Sequence, residues 1–142
     1  MNLQYFFCRN SKKGGTMEKK ATKRKAIPKK VREEVYKMYD GHCAYCGCEI
    51  EYKDMQVDHI HPFYLEGKDI KENYRPSCRM CNFYKSTFTV EGFREQLGLI
   101  KGRLEKEFIY RLAKKYGVIE EKETEIKFYF EKKESFTNGK VD

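Results

Sequence analysis

Four of the six cysteines form two Cys-x-x-Cys pairs, Cys43/Cys46 and Cys78/Cys81. Four thiolates in two such pairs can close a tetrahedral site around zinc, and a site with four cysteine ligands has no open position for chemistry. The paired spacing and the lack of a recognisable export signal favour metal ligation in a reducing compartment over disulfides. The sequence therefore predicts a structural zinc site, with an iron centre of the rubredoxin type as a second reading.

A second group of residues has the chemistry of a catalytic site. Asp58 and His59 lie between the two cysteine pairs, and Asn82 directly follows the last cysteine. Their oxygen and nitrogen atoms suit a hard divalent ion and a general base. A zinc ion held by all four cysteines would bring these distant stretches of chain together. The other two cysteines are left over. Cys48 is interpreted as a buried free thiol, with a substitute metal ligand as the alternative, and Cys8 has no assigned role.

The net charge of +8 is concentrated near the N-terminus. Residues 9–32 contain eleven Lys or Arg residues against one acid, whereas residues 33–142 have a balance of −2. We expect residues 1–26 to be a basic, disordered arm that contacts phosphates without reading sequence, although a merely solubilising tail is the alternative. Met17 is an alternative start to Met1.

Hydropathy excludes an integral membrane protein. No apolar run approaches the roughly 20 residues that a membrane-spanning helix needs. The apolar stretch near the N-terminus is shorter than the core of a signal peptide and has no cleavage site after it. We therefore expect a cytoplasmic protein with no membrane partner.

The elements that must position these residues follow from local patterns. Pro28 and an apolar stripe ending at Gly41 predict a first helix. Residues 50–52 and 55–58 are expected to form a small hairpin, and residues 66–76 a loop. A helix is expected to begin near Cys78 or Arg79 and to carry Asn82 and Lys85.

The C-terminal part is predicted to be mainly helical. Thr89 is a suitable N-cap for one helix, and apolar residues at spacing four predict another over 104–116. Alternating apolar residues over 126–130 predict a late strand. One domain is expected over residues 27–133, with its core motif at 43–85 and a frayed tail at 134–142.

Four segments together resemble the HNH endonuclease family: Cys43-x-x-Cys46, Val57–Pro62 (Val-Asp-His-Ile-His-Pro), Asn73–Pro76 (Asn-Tyr-Arg-Pro) and Cys78-x-x-Cys81-Asn82-x-x-Lys85. The resemblance implies an α+β fold. Its centre is a small ββα-metal finger stapled by a Cys₄ zinc site, flanked by an N-terminal helix and by C-terminal helices with a late β-strand. It also implies metal-dependent hydrolysis of phosphodiester bonds in DNA, in a bacterial or phage-infected host cell.

The resemblance assigns roles to individual residues. His59 corresponds to the general base, since an imidazole can accept a proton from water near neutral pH. Asp58 and Asn82 correspond to ligands of one catalytic ion, Mg²⁺ or Mn²⁺, while Zn²⁺ is structural. Asn73 is expected to pin the loop over the site through side-chain to backbone hydrogen bonds. Four further residues are candidate nucleic-acid contacts: His61, Arg75, Arg79 and Lys85.

The partner implied by the resemblance is DNA, expected to be double-stranded. Phage packaging or mobile-element proteins are further candidates. The alternative function is a non-catalytic zinc-ribbon module that binds nucleic acid through its basic arm.

Overall fold

The computed structural model describes residues 25–138. Within that range the elements are α1 (Lys29–Lys37), β1 (Gln56–His59), β2 (Tyr74–Ser77), α2 (Arg79–Lys85), α3 (Val90–Gly98), α4 (Ile100–Leu104), α5 (Phe108–Lys115) and α6 (Tyr129–Asn138). Two short 3₁₀ turns, Phe63–Leu65 and Lys71–Asn73, lie in the connection between the strands. The β1–β2–α2 order and the clustered cysteines confirm the predicted α+β fold with a ββα finger.

Some expectations fall outside the described range. Most of the predicted basic arm, Cys8 and both candidate start residues lie there, as do residues 139–142. The predicted frayed tail, residues 134–142, lies only partly outside the described range. Its first part is helical, because α6 extends to Asn138. In the described part of the chain, no helix has the length and apolar character needed to cross a bilayer.

The two strands pair differently from the predicted hairpin. β1 pairs antiparallel with β2, so that His59 faces Tyr74 and Val57 faces Pro76. The expectation of a loop through residue 76 is therefore wrong, and so is the hairpin of 50–52 with 55–58. Ile50 instead donates its backbone N–H to Gly41, at 2.7 Å. The backbone of Ile50 therefore pairs with the chain just before the first cysteine pair and not with residues 55–58.

The core is built from aromatic rings packed under the finger. Tyr45, Phe93 and Phe128 are almost fully buried. The Tyr45 ring meets the other two edge to face at 5.4 and 5.3 Å, and Phe93 stacks on Phe128 at 5.3 Å. Val35 contributes the buried residue of α1 to the same core. These contacts fix α3 and the chain around Phe128 against the first cysteine knuckle.

The late strand predicted over 126–130 is wrong. Residues 121–128 lie in no regular element, Phe128 is buried, and α6 begins at Tyr129. The side chain of Glu131 accepts a hydrogen bond from the Phe128 backbone N–H at 2.9 Å, which is one of the two hydrogen bonds of a helix-capping box. Arg94 of α3 donates to the same carboxylate at 3.2 Å. The contact between Arg94 and Glu131 therefore stabilises the start of a helix at a position where the local alternation predicted a strand.

The remaining helices follow the predictions more closely. Thr89 caps α3 by accepting from the Gly92 backbone N–H at 3.1 Å. The helix predicted over 104–116 starts late, at Phe108, because residues 105–107 form a turn after α4. Phe108 and Ile109 are exposed on α5.

Candidate active site and metal centre

The four predicted zinc ligands form one cluster. The Sγ atoms of Cys43, Cys46, Cys78 and Cys81 all lie within 4.8 Å of one another, and all four cysteines are free thiols. The Cys46 and Cys78 sulfurs are 3.9 Å apart. Tetrahedral zinc with bonds of about 2.3 Å separates its sulfurs by about 3.8 Å. The cluster therefore has the donors and the dimensions of a zinc site.

Backbone geometry creates both cysteine knuckles. In the first, Gly47 has a φ of +77°, and its N–H donates to the Cys43 carbonyl at 2.9 Å. A side chain is strained at this φ, so glycine allows the chain to fold back around the sulfurs. In the second, Cys78 is the N-cap of α2 and its sulfur accepts from the Cys81 N–H at 3.4 Å.

Hydrogen bonds to sulfur favour the charged form that binds metal. Cys43 accepts from the Cys78 backbone N–H at 3.3 Å. A side-chain hydrogen bond from Cys81, with further help from backbone amides, lowers the pKa of Cys43 despite its burial. A metal ligand must be a thiolate, so these hydrogen bonds prepare Cys43 for ligation, whereas burial raises the pKa of Cys46 in the same knuckle.

Cys48 is outside this four-sulfur cluster. Its side chain is exposed, which contradicts the expectation of a buried thiol. Its backbone carbonyl accepts from the Cys43 N–H at 2.8 Å, so the residue contributes to the knuckle through its main chain.

Strand β1 and the second half of α2 form the two sides of a cleft of about 540 Å³. Asp58, His59 and Asn82 all line it. Asn82 follows the last cysteine of the cluster and lies one turn after Cys78, the N-cap of α2. The zinc cluster therefore fixes the helix turn that carries Asn82 beside the strand that carries the other two residues.

Asp58 is almost completely buried beside this cleft, with 6% of its surface exposed. Its Oδ2 accepts from the Tyr45 hydroxyl at 2.5 Å and from the Lys85 ammonium at 2.9 Å. Burial, reinforced by the Asp58 charge, raises the pKa of Tyr45, so the phenol keeps its proton and remains a donor. Within residues 25–138 no hydrogen bond uses Oδ1, which leaves that oxygen for a ligand in the cleft.

Lys85 is not a nucleic-acid contact, which corrects the expectation from the sequence. Its side chain is completely buried, and its ammonium group also donates to the His59 carbonyl at 2.8 Å. An atom without solvent exposure cannot reach a phosphate. Lys85 instead compensates the charge of Asp58 and ties α2 to the end of β1.

His59 is held by a carboxylate that sequence reasoning missed. Its Nε2 lies 3.0 Å from Oδ1 of Asp69, and the Tyr74 hydroxyl donates to the same oxygen at 2.5 Å. The Tyr74 ring also packs edge to face against the imidazole at 5.0 Å. Burial, then the hydrogen bond to Asp69, raises the pKa of Tyr74 to about 12. The only sequence signal for Asp69 was a carboxylate in a charged loop.

Asn73 closes the loop between the strands. Its Oδ1 accepts from the His61 N–H at 2.8 Å, and its Nδ2 donates to the carbonyls of His61 and Lys68, both at 2.9 Å. Gly67 allows this closure, because a Cβ there would stand 1.9 Å from the His61 carbonyl oxygen. Asn73 does not line the cleft; its side chain acts on the backbone next to His59.

The remaining candidate contacts occupy different environments. His61 is exposed, and Arg79 is exposed in the first turn of α2. Arg75 has only 17% of its side chain exposed. Its Nη1 donates to the Tyr74 carbonyl at 2.9 Å, and its Nη2 lies 3.9 Å from Glu134. None of the three lines the cleft.

One comparison with known proteins, the match to a family model, agrees with the resemblance seen in the sequence. Residues 43–88 match the family model described as HNH endonuclease, which confirms that resemblance over this part of the chain. No curated protein matches the chain. Among solved structures, the chain is similar to a Type II-C Cas9 enzyme from Actinomyces naeslundii, with 27% identity and a TM-score of 0.43. That similarity covers 48% of this chain and 8% of the Cas9 chain.

Proposed function

We propose that the HNH motif of residues 43–88 makes this protein an endonuclease that hydrolyses phosphodiester bonds of DNA with one divalent ion and a histidine base. The observation that carries the proposal is the convergence of Asp58, His59 and Asn82 on one cleft. A carboxylate, an imidazole and an amide in one place provide metal ligands and a base. The zinc cluster has a structural role in this proposal.

The donors in the cleft suit a hard ion. Asp58 offers Oδ1, and Asn82 offers its side-chain amide oxygen. Oxygen donors of this kind favour Mg²⁺ or Mn²⁺ over softer ions. A bound ion would supply positive charge where negative charge develops on the phosphate. With Oδ2 already used by Lys85 and Tyr45, Asp58 is oriented before the ion arrives.

His59 supplies the base in this mechanism. Asp69 accepts a hydrogen bond from the Nε2 side of the ring, which favours the tautomer with its lone pair on Nδ1. That nitrogen takes the proton of the attacking water, and the positive charge that forms on the ring is stabilised by the Asp69 carboxylate. Asn73 holds the chain that follows His59 through its two hydrogen bonds to the His61 backbone.

A non-catalytic zinc-ribbon module remains the second candidate function. One observation favours it: the Asp58 carboxylate already pairs with Lys85, so its charge is compensated without a metal. Such a module would bind nucleic acid and leave it intact. Cleavage therefore separates the two candidates.

The experiment is plasmid cleavage by purified protein with Mg²⁺ or Mn²⁺. We expect nicked or linear product from the unmodified protein and none from His59→Ala at equal zinc content and equal circular dichroism. His42→Ala is the matched control, since this histidine does not line the cleft and its Nδ1 bonds the Asp40 carbonyl. Cleavage retained by His59→Ala would reject the assigned base. Binding of plasmid and of single-stranded DNA without cleavage of either under any ion would favour the zinc-ribbon module.

The form of the DNA, the cellular role and the identity of the structural metal also belong to this proposal. Double-stranded DNA is the substrate that the resemblance implies, and a cytoplasmic role in phage packaging or in a mobile element is compatible with it. An iron centre of the rubredoxin type makes a distinct forecast, visible absorption, whereas a zinc protein is colourless. Elemental analysis of the same preparation distinguishes these metals.

A further inference from the structure

Two aromatic side chains lie exposed on the walls of the candidate active-site cleft. Tyr64, in the 3₁₀ turn after β1, is 77% exposed, and Phe83, next to Asn82 on α2, is 67% exposed. Both line the same cleft as Asp58 and His59. The rings therefore border the position where a phosphodiester would be held.

These two rings differ from the aromatic residues of the core. Phe93 and Phe128 are buried and stack on each other. Within residues 25–138, by contrast, neither Tyr64 nor Phe83 has an aromatic partner, and the Tyr64 hydroxyl makes no hydrogen bond. A single exposed aromatic side chain is ordinary, but two that face one cleft form a local apolar surface that suits a ligand.

The exposed side of α2 continues this surface with a positive charge. Arg79 and Phe83 are four residues apart, so they lie on the same side of the helix, and Met80 lies three residues before Phe83. Met80 is 80% exposed. An exposed guanidinium beside apolar groups suits a strand that carries both phosphates and flat bases.

We propose that Tyr64 and Phe83 form a base-stacking subsite, so that the cleft takes a DNA strand whose bases are unstacked from their neighbours. The proposal rests on the proposed nuclease function and specifies the form of its substrate. In an intact duplex the faces of each base are covered by the neighbouring base pairs. Single strands, flaps and mismatched or frayed segments expose those faces. Stacking on aromatic rings is tolerant of base identity, so the subsite selects strand form and not sequence.

The absence of tryptophan from this chain allows a direct binding test. In the double variant Phe83→Trp, His59→Ala, the new indole is the sole tryptophan and a cleavage-deficient background keeps the DNA intact. We expect a single-stranded oligonucleotide to quench its fluorescence, because a stacked base contacts the ring. A strand of equal length and charge with an abasic segment should bind about tenfold more weakly and quench little. Equal quenching by the two strands would overturn the proposal.

A second test uses cleavage and a matched control. We expect Tyr64→Ala and Phe83→Ala each to lower kcat/KM on single-stranded DNA about tenfold. Phe108→Ala, which removes a ring that is 69% exposed on α5 and does not line the cleft, should have no such effect. All three positions are exposed, so zinc content and circular dichroism should stay unchanged. Equal losses at Phe108 and Phe83 would contradict a subsite.

The two tests separate this inference from the proposed function. If no DNA is cut under any ion, the nuclease proposal fails, yet the tryptophan signal still reports whether bases stack at Phe83. If cleavage occurs but intact duplex is cut as fast as single strands, and the alanine variants lose nothing, the nuclease stands and the stacking subsite is rejected.

Discussion

The buried ammonium of Lys85 lies 2.9 Å from Oδ2 of Asp58, and the two side chains are 0% and 6% exposed. The same ammonium donates to the His59 carbonyl. One lysine on α2 thus contacts two consecutive residues of β1, the proposed metal ligand Asp58 and the proposed base His59. Taking two charges out of water is costly, so this pair depends on its close geometry and on the additional donor, Tyr45.

Removal of Lys85 should therefore destabilise the protein strongly. Lys85→Met keeps the apolar stem but leaves the Asp58 carboxylate without its cation, and we expect a loss of about 3–5 kcal/mol in the free energy of unfolding. Urea unfolding followed by circular dichroism measures it. Lys53→Met is the control, because Lys53 and Glu51 form an exposed pair at 2.8 Å that is worth at most about 1 kcal/mol. Similar losses in the two variants would contradict a structural role for the buried pair.

Zinc removal should unfold the finger. Structural zinc sites have apparent binding energies of about 10–16 kcal/mol, which exceeds the stability of most small domains. We expect Cys46→Ser to lower the zinc content and to reduce the helical circular dichroism signal. Cys48→Ser is a close control, since it changes a neighbouring exposed thiol outside the four-sulfur cluster. If Cys48→Ser lost as much zinc as Cys46→Ser, the ligand assignment would need revision.

The sequence predicted those parts of the site that depend on spacing. Two Cys-x-x-Cys pairs can close only over a short distance, so their clustering and the approach of Asn82 to Asp58 follow from the motif. Local helix signals, such as the Thr89 cap, were also sufficient to predict where a helix begins. Each of these features is determined by residues close in sequence or by a shared ligand.

The features that were missed depend on contacts between distant residues. Lysine is rarely buried, and the position of Lys85 is explained by two tertiary partners, the Asp58 carboxylate and the His59 carbonyl. Pro76 disfavoured a strand in local reading, yet it pairs with Val57 of β1, and its carbonyl accepts from the Ala44 backbone N–H at 2.8 Å. The alternation around Phe128 indicated a strand, whereas Glu131 and Arg94 together start a helix there. Glu131 is close to Phe128 in the sequence, but no local pattern shows its contact with Arg94.

The Glu131 contacts also predict a dependence of stability on pH. Burial of Glu131 opposes its charge, but the Arg94 hydrogen bond and the Phe128 amide outweigh burial and lower the pKa below its usual 4.5. A lowered pKa in the folded state stabilises the protein above about pH 4.5, and this contribution is lost as the pH falls through the folded-state value. Glu131→Gln should cost about 1–2 kcal/mol near neutral pH.

Unfolding by urea between pH 7 and pH 3.5, with excess zinc throughout, measures this contribution for both proteins. The difference between the unmodified protein and Glu131→Gln should be constant near neutral pH and should shrink below pH 4.5. A difference that stays constant to the lowest pH would show that the carboxylate charge contributes nothing to the cap.

The hydrogen bond between His59 and Asp69 should matter for turnover more than for stability. Asp69→Asn keeps the size of the side chain but removes the negative charge that stabilises a protonated imidazole. We expect kcat for DNA cleavage to fall about 10- to 100-fold, as for carboxylates that orient other functional histidines, with little change in KM. Asp69→Glu should recover part of the activity, since it restores the charge.

Tyr74→Phe tests whether the position of Asp69 matters for turnover, because it leaves the charge of Asp69 in place. This variant removes the hydroxyl that donates to the carboxylate, while the ring can still pack against His59. If Tyr74 only positions Asp69, the loss in kcat should be smaller than for Asp69→Asn, and the double variant should be no worse than Asp69→Asn alone. Additive losses would instead mean that Tyr74 acts on His59 by a route that does not involve Asp69.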